Sequence, residues 1–253
     1  MKQSKQIILI TGGGSGIGLA LAEKFLSNDN TVIITGRDLT KLEKVKAELP
    51  KIHIYQSDVT KDEEVKKLVI DIQNEFDGID VLINNAGTMG LLDTGNESNN
   101  LKKQIDEIEI NYHSPIRMLH YFLPQLGKSK NAVLINVSSG LAYVPLAQSP
   151  VYSSTKAALH SWTNAIRPQL KPHNIKVIEL LPPVVDTKLA QDADMQESIK
   201  PISPEKLADI FWKDYLKGKE EIAPGGSKVL KMMSRLAPKF IFKQLNKQPI
   251  PNK

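Results

Sequence analysis

Two hydrophobic rhythms alternate along the chain. Short runs rich in Ile and Val recur at Gln6–Ile10, Thr31–Thr35, Ile52–Gln56, Ile79–Ile83, Ala132–Val137 and Ile175–Leu181. Several are apolar nearly throughout, the pattern of parallel strands buried on both faces. Between them lie longer amphipathic stretches. Leu19, Ala22, Phe25 and Leu26 mark one apolar helix face, and Val65, Leu68, Val69 and Ile72 another. Strand then helix, repeated about six times, predicts βαβ units with right-handed crossovers. That leaves a doubly wound sheet or a closed eight-fold barrel. The six runs plus a further strand near Glu220–Ala223 fall short of eight. The chain also places a glycine cluster directly after its first strand, where a barrel would place its phosphate site late. The expectation is one α/β domain built on a doubly wound parallel sheet of about seven strands, with helices on both faces.

Composition narrows the chemistry. The 253 residues are 41% hydrophobic and 24% charged, near globular averages, and include no cysteine. A disulfide scaffold, a thiolate metal site and a cysteine nucleophile are thereby excluded. The five histidines, at 53, 113, 120, 160 and 173, show no metal-binding spacing, and no G-x-S-x-G elbow points to a hydrolase. Met1–Gln6 is polar, and the apolar run Ile7–Ile10 is too short for a signal sequence. With no long apolar stretch, no transmembrane segment is expected, and a cytoplasmic protein is the default. The net charge of +5 is uneven, because residues 222–253 carry seven Lys or Arg and no acid. The remainder is therefore mildly acidic, which argues against nucleic acid as a partner.

The glycine cluster carries the first chemical signal. Thr11-Gly12-Gly13-Gly14-Ser15-Gly16-Ile17-Gly18 sits between the first strand and the first helix. Gly12 and Gly16 permit backbone angles a side chain forbids, and Gly18 lets the helix lie close on the sheet. Free N–H groups at the helix start, aided by its dipole, suit a pyrophosphate. Gly14, Ser15 and Ile17 complete this dinucleotide-binding loop.

Its G-x-x-x-G-x-G spacing differs from the common fingerprint, and with it the chain resembles the short-chain dehydrogenase/reductase family from Ile7 to about Ala223. Later motifs match in order. Asp58-Val59 ends the third strand, where the family's Asp holds adenine. Asn84-Asn85-Ala86-Gly87 follows the fourth, Asn111 takes the place of the helix-bending asparagine, and Tyr152-Ser153-Ser154-Thr155-Lys156 reproduces Y-x-x-x-K. Ser139 precedes Tyr152 by 13 residues, the family's usual separation, whereas Ser138 stands 14 away. The resemblance implies a Rossmann-type domain over residues 1–223 with its active site built in. Residues 224–253 are a basic extension of the same domain. It further implies a catalytic set of Asn111, Ser139, Tyr152 and Lys156, with Asn85, Ala86 and Gly87 at the dinucleotide.

The residue chemistry agrees with that set. Tyr152 and Lys156 share one helix face. A nearby ammonium lowers a phenol from its usual pKa of about 10. Tyr152 would then act as acid in carbonyl reduction and base in alcohol oxidation. Ser139 would orient the substrate oxygen; the resemblance further implies that Lys156 grips the nicotinamide ribose and that Asn111 holds a water in a proton relay.

Cofactor choice is expected from Thr35-Gly36-Arg37. An NAD site carries an acid at the end of the second strand. Here Gly36 stands in its place, and the Arg37 guanidinium suits the 2′-phosphate of NADP. Asp38 is a competing partner for Arg37, the glycine loop contains no basic residue, and NAD remains a possible cofactor.

One departure stands out. After the sixth strand the family reads Pro-Gly, but this chain reads Pro182-Pro183-Val184-Val185-Asp186-Thr187. Pro182, Val185 and Thr187 keep the positions that contact the nicotinamide, while Pro183 fixes φ and reshapes the pocket. The string is similar to that of the Dlt-type oxidoreductases. Pro168, late in the Tyr152 helix, is expected to kink or end it.

The resulting expectation is an NADP(H)-dependent oxidoreductase that interconverts a small-molecule carbonyl and an alcohol. The rival is a dinucleotide-binding regulatory or scaffold protein, with Pro183 as its only support. Loops Gly87–Asn100 and Gly140–Pro150 and the irregular segment 187–203, with Asp192, Asp194, Glu197 and Pro201, are expected to line or cover the substrate pocket. A homodimer or homotetramer is expected from the apolar residues Ile108, Met118, Leu119, Phe122, Leu159 and Trp162 of the helices near 101–124 and 151–170. The tail alternates Leu230, Met233, Leu236, Phe240 and Phe242 with cations. It would pack as an ordinary helix with a solvated lysine face, close over the pocket, pack against a neighbouring subunit, or make weak, salt-sensitive contact with an anionic membrane.

Overall fold

A computed structural model describes residues 4–96, 100–192 and 201–247. Seven parallel strands form one sheet in the order β3-β2-β1-β4-β5-β6-β7. They are β1 (Ile7–Thr11), β2 (Thr31–Gly36), β3 (His53–Gln56), β4 (Val81–Asn84), β5 (Val133–Val137), β6 (Lys176–Leu180) and β7 (Glu221–Ile222). The β-branched runs thus fall on the strands. Their solid apolar character follows from burial on both faces, since Ile8, Leu9, Ile10, Val32, Ile33 and Ile34 are all fully buried.

Helices α1 (Gly16–Leu26), α2 (Leu39–Glu48) and α8 (Pro204–Leu216) cover one face, where Phe25 meets Phe211, Trp212 and Tyr215. On the other face lie α3 (Asp62–Phe76), α4 (Leu101–Ile108), α5 (Ser114–Leu126) and α6 (Pro150–Leu170), closing over Leu9, Leu82 and Leu134. Three short or terminal helices follow the sixth strand on either side of α8: α7 (Lys188–Asp192), α9 (Gly226–Leu236) and α10 (Pro238–Leu245). A buried polar chain crosses the layers. Asn84 donates to Asn136 (2.9 Å), and Asn136 donates to Thr163 of α6 (2.8 Å). Strand order reverses between β1 and β4, so the crevice for a ligand opens at the carboxyl ends of those strands.

Three expectations change. The helix near 101–124 is interrupted by a π turn at Glu109–His113. Pro115, four residues after Asn111, has no N–H to return to the Asn111 carbonyl, so the turn widens there. Pro168 does not end α6 early, because it sits in the last turn. The helix runs to Leu170 and continues as a 3-10 turn, Lys171–His173. Finally, Met118, Leu119, Phe122 and Leu159 are buried within the chain, and Trp162 packs against the same core. The apolar surface assigned to subunit contact is therefore mostly spent inside one subunit. Of the six residues only Ile108 is exposed; Leu101, Ile105 and Leu123 join it.

Candidate active site

A cavity of about 1210 Å³ lies along the carboxyl ends of the strands. Each strand end delivers one motif to its wall: the glycine loop from β1, Arg37 from β2, Asp58 and Val59 from β3, Asn85, Ala86 and Gly87 from β4, Ser139 from β5, and Pro182, Val185 and Thr187 from β6. Tyr152 and Lys156 enter from α6. All the candidate residues line it except Gly18 and Asn111, which stand behind the wall.

The glycine loop is shaped by close approach. Gly12 holds φ +65°, and a Cβ there would come within 2.9 Å of the Ala86 Cα. A Cβ on Gly18 would meet the Gly12 carbonyl at 2.4 Å, so Gly18 supports the loop from below. No side chain caps the N-terminus of α1, which begins at the cavity with Gly16 and Ile17. The turn after β4 is fastened to the loop: Asn85 Nδ2 donates to the carbonyls of Thr11 (3.0 Å) and Gly12 (3.2 Å). The backbone N–H groups of Asn85 and Ala86 both reach Thr11 Oγ1.

At the far end of the loop two cations gather. Arg37 is exposed on the cavity rim and forms no ion pair with Asp38. Asp38 instead caps α2 by accepting from the Lys41 N–H (3.1 Å). The Lys41 ammonium reaches back to Ser15 Oγ at 2.8 Å. A basic group does therefore stand on the glycine loop, supplied by α2. Sequence reasoning missed it because 26 residues separate the partners; the N-cap at Asp38, which fixes the start of α2, is the signal that places Lys41 one turn in.

The catalytic candidates converge where β5, α5 and α6 meet. The adjacent serines diverge: Ser138 donates to the buried Glu179 (2.6 Å), which also faces His160 Nδ1 (2.7 Å). Ser139 lines the cavity and hydrogen-bonds Tyr152. Lys156 donates to the Val137 carbonyl (3.0 Å), and its Nζ stands 5.5 Å from the centre of the Tyr152 ring. Asn111 is fully buried and grips the backbone of Thr88 twice, accepting from its N–H (2.9 Å) and donating to its carbonyl (2.8 Å). It also donates to Thr155 (3.2 Å). Its side chain is thus fully occupied by Thr88 and Thr155.

The electrostatics differ from expectation. Burial pushes the Tyr152 phenol up to about 12, only partly offset by the Ser139 hydrogen bond, and the Glu107 charge raises it further. Burial likewise brings the Lys156 ammonium down to about 8, against an upward pull from Glu107 and Glu179. For the phenol, the direction is opposite to the lowering expected from the neighbouring ammonium, and burial is its largest cause. Glu107 was not foreseen. It is buried on α4, its best partner is the Gly90 N–H at 3.4 Å, and desolvation lifts its carboxyl to about 7.

The described ends of segment 187–203 come together at the cavity wall. Val185 and Ile202 form an isolated bridge, with Asp186 N–H donating to the Ile202 carbonyl (2.9 Å) and Ile202 N–H to that of Val184 (3.2 Å). Thr187 lies against Gly16, and Leu189, Ala190 and Gln191 line the cavity. Asp194 and Glu197 lie outside the described residues. Pro183 turns its ring toward Gly225 and Gly226 at the start of α9. Met89, Leu141, Val229, Leu230, Ile241 and Leu245 give the cavity an apolar patch, with Ser227 and Gln244 among them. The tail is latched there, since Asn246 accepts from Ala147 N–H (2.5 Å) and donates to the Pro145 carbonyl (3.1 Å).

Known proteins share the family and the fold. Residues 6–198 match the short chain dehydrogenase family. The chain is 38% identical to the uncharacterized oxidoreductase DltE of Bacillus subtilis (strain 168), over 98% of this chain and 99% of that one. An uncharacterized oxidoreductase of Staphylococcus aureus (strain MRSA252) is 31% identical over 81% of this chain and 88% of its own. Among solved structures, a short chain dehydrogenase from Burkholderia cenocepacia J2315 in complex with NADP superposes with a TM-score of 0.84, at 25% identity over 98% of this chain and 100% of that one. A short-chain dehydrogenase from Streptomyces avermitilis shares the fold, with a TM-score of 0.82 at 24% identity over 96% of each chain. No described helix is long and apolar enough to cross a membrane. With family and fold in agreement, the chain belongs to the short-chain dehydrogenases, oxidoreductases acting on CH–OH groups, and resembles the Dlt-type members.

Proposed function

We propose that the protein is an NADP(H)-dependent oxidoreductase that interconverts a carbonyl and an alcohol. The observation that carries this reading is the meeting of Ser139, Tyr152 and Lys156 at one end of a cavity whose other end is a glycine cradle flanked by two cations. The cradle fits a dinucleotide, because its closeness to Ala86 leaves no room for side chains where phosphates would lie. Gly14, Ser15, Gly16 and Ile17 would hold the pyrophosphate. Asp58 and Val59 would flank the adenine, and Arg37 with Lys41 would meet a 2′-phosphate. Asn85, Ala86, Gly87, Pro182, Val185 and Thr187 would border the nicotinamide half.

When bound, the nicotinamide supplies or accepts the hydride. Ser139 holds the substrate oxygen at Tyr152. The phenol delivers its proton to that oxygen in reduction and takes it back in oxidation. A phenol held near 12 is a proton donor by default, which favours reduction as the reaction that begins from this ionisation state. Lys156 and the Asn111 carbonyl return protons to Tyr152 from the interior side. The scaffold reading loses its support, because Pro183 faces the α9 turn and leaves the Ser139–Tyr152–Lys156 set intact. Self-association is part of the proposal, supported by Leu101, Ile105 and Ile108, which leave α4 with an exposed apolar stripe.

The test is oxidation of NADPH and of NADH against a panel of ketones, aldehydes and diketones, with Tyr152→Phe as control. Consumption of NADPH that Tyr152→Phe abolishes supports the reading. Failure of NADPH to bind, or turnover that survives the substitution, overturns it.

A further inference from the structure

The terminal helices have two faces with opposite roles. The inner face builds the site: Ser227 is buried, Leu230 and Ser227 press on Gly140, and Leu245 packs beside Leu141 and Tyr152. The outer face is apolar and unshielded. Val229, Met232 and Leu236 follow one another at helical spacing along α9, 49%, 53% and 73% exposed. Phe240 and Phe242 on α10 are 56% and 45% exposed. Val229 belongs to both faces, since it also lines the cavity. The exposed stripe therefore starts at the cavity mouth.

Charge identifies what meets this surface. Lys228, Arg235, Lys239, Lys243 and Lys247 are exposed around the apolar residues, Lys231 is partly buried against Glu221, and no acid occurs beyond position 221. A second copy meeting this face symmetrically would set cations against cations. An anionic lipid surface suits both features, with lysines at the headgroups and phenylalanine, leucine and methionine beneath. We propose that α9 and α10 dock the protein on an anionic lipid surface, beside which the apolar end of the catalytic cavity opens, so that the substrate is a lipophilic carbonyl or alcohol. The substrate half rests on the oxidoreductase reading above; the docking half does not.

Removing the tail would strip a wall from the cavity, so the test uses the full chain with substitutions outside that wall. Co-sedimentation is measured with phosphatidylcholine vesicles, with and without about one third phosphatidylglycerol. It is run at about 0.1 M and about 1 M salt, where screening shortens from about 10 to about 3 Å. The expected result is binding to the anionic vesicles alone, lost at high salt. Lys239→Gln/Lys243→Gln/Lys247→Gln should lower partitioning roughly 100-fold, at about fivefold per lysine. Leu236→Ser/Phe240→Ser should also release the protein. Unchanged NADPH binding in both variants shows that they fold. Equal binding to the two vesicle types, or none, overturns docking. So does a Leu236→Ser/Phe240→Ser variant that alters the molar mass in light scattering and leaves vesicle binding intact, because the face then belongs to a second copy. For the substrate, kcat/KM should rise with chain length along a series of alkyl ketones or aldehydes. A preference for short polar carbonyls overturns that half. A protein that binds vesicles but turns over no carbonyl keeps the docking surface and loses the proposed reaction.

Discussion

Glu107 and Lys156 share the interior near Tyr152 without forming an ion pair, yet each moves the other's titration: the lysine lowers the carboxyl and the carboxylate raises the ammonium. Glu107 comes from α4, before the π turn, and Lys156 from α6. Their coupling joins the helix that leads into the π turn of Asn111 to the helix that carries the Tyr152 phenol.

Replacing Glu107 by Gln should therefore let the Lys156 ammonium fall further below about 8. The basic limb of the pH profile of kcat/KM should move to lower pH, measured in the direction of carbonyl reduction. A limb that stays in place would mean that Lys156 does not set it.

The same substitution has a stability signature. The folded carboxyl titrates near 7 against an ordinary value of 4.5, so the native state holds its proton longer than the unfolded chain. Below 4.5 the residue contributes nothing adverse; its penalty builds as pH rises from about 4.5 to about 7 and is constant above that. Glu107→Gln should match the parent in urea unfolding below pH 4.5 and exceed it above pH 7, by about 1–2 kcal/mol after solvent screening. Equal stability at both pH values would refute the buried-carboxyl assignment.

For the phenol, Tyr152→Phe should lower kcat by about 10³ while NADPH affinity, read by fluorescence titration, stays within a few-fold. Only the proton donor is removed, and the ring keeps its packing against Leu141 and Leu146.

At the adenosine end, Arg37→Ala should weaken NADPH about tenfold and leave NADH unchanged. The effect is modest because Arg37 is exposed. Lys41→Gln should add to it, since Lys41 already stands on Ser15. Equal losses for both cofactors would show that neither cation meets a 2′-phosphate.

Asn111→Ala should cost about 1–3 kcal/mol in urea unfolding, because the Thr88 N–H and carbonyl both lose their partner. Turnover should fall as well, as the loop after β4 loosens against Lys156.

Local chemistry made much of this legible in the sequence. Buried parallel strands require unbroken Ile and Val, so the runs at Ile8–Ile10 and Val133–Val137 announce themselves. Backbone crowding requires glycine at 12 and 18, and the Tyr152–Lys156 spacing is fixed by one helix turn. What escaped depends on contacts between distant segments. Lys41 reads as an ordinary surface lysine until α2 swings it onto Ser15. Glu107 lies among Lys102, Lys103, Asp106 and Glu109, a string that looks solvated, and only the approach of Gly90 and α6 encloses it. The upward push on the Tyr152 phenol is hidden for a related reason: adjacency to a lysine is visible in a sequence, whereas depth of burial is not.

The bridge between Val185 and Ile202 has a consequence for how this scaffold changes over time. Because the chain is clasped at its neck, strand β6 and helix α8 are positioned without regard to what lies between. Lengthening such an excursion raises closure entropy only logarithmically. The chain between the two bridge residues is thus free to change in length at little cost to the frame. Insertions and deletions between them should leave the seven-stranded sheet and the packing of α6 as they are, read as an unchanged midpoint in urea unfolding.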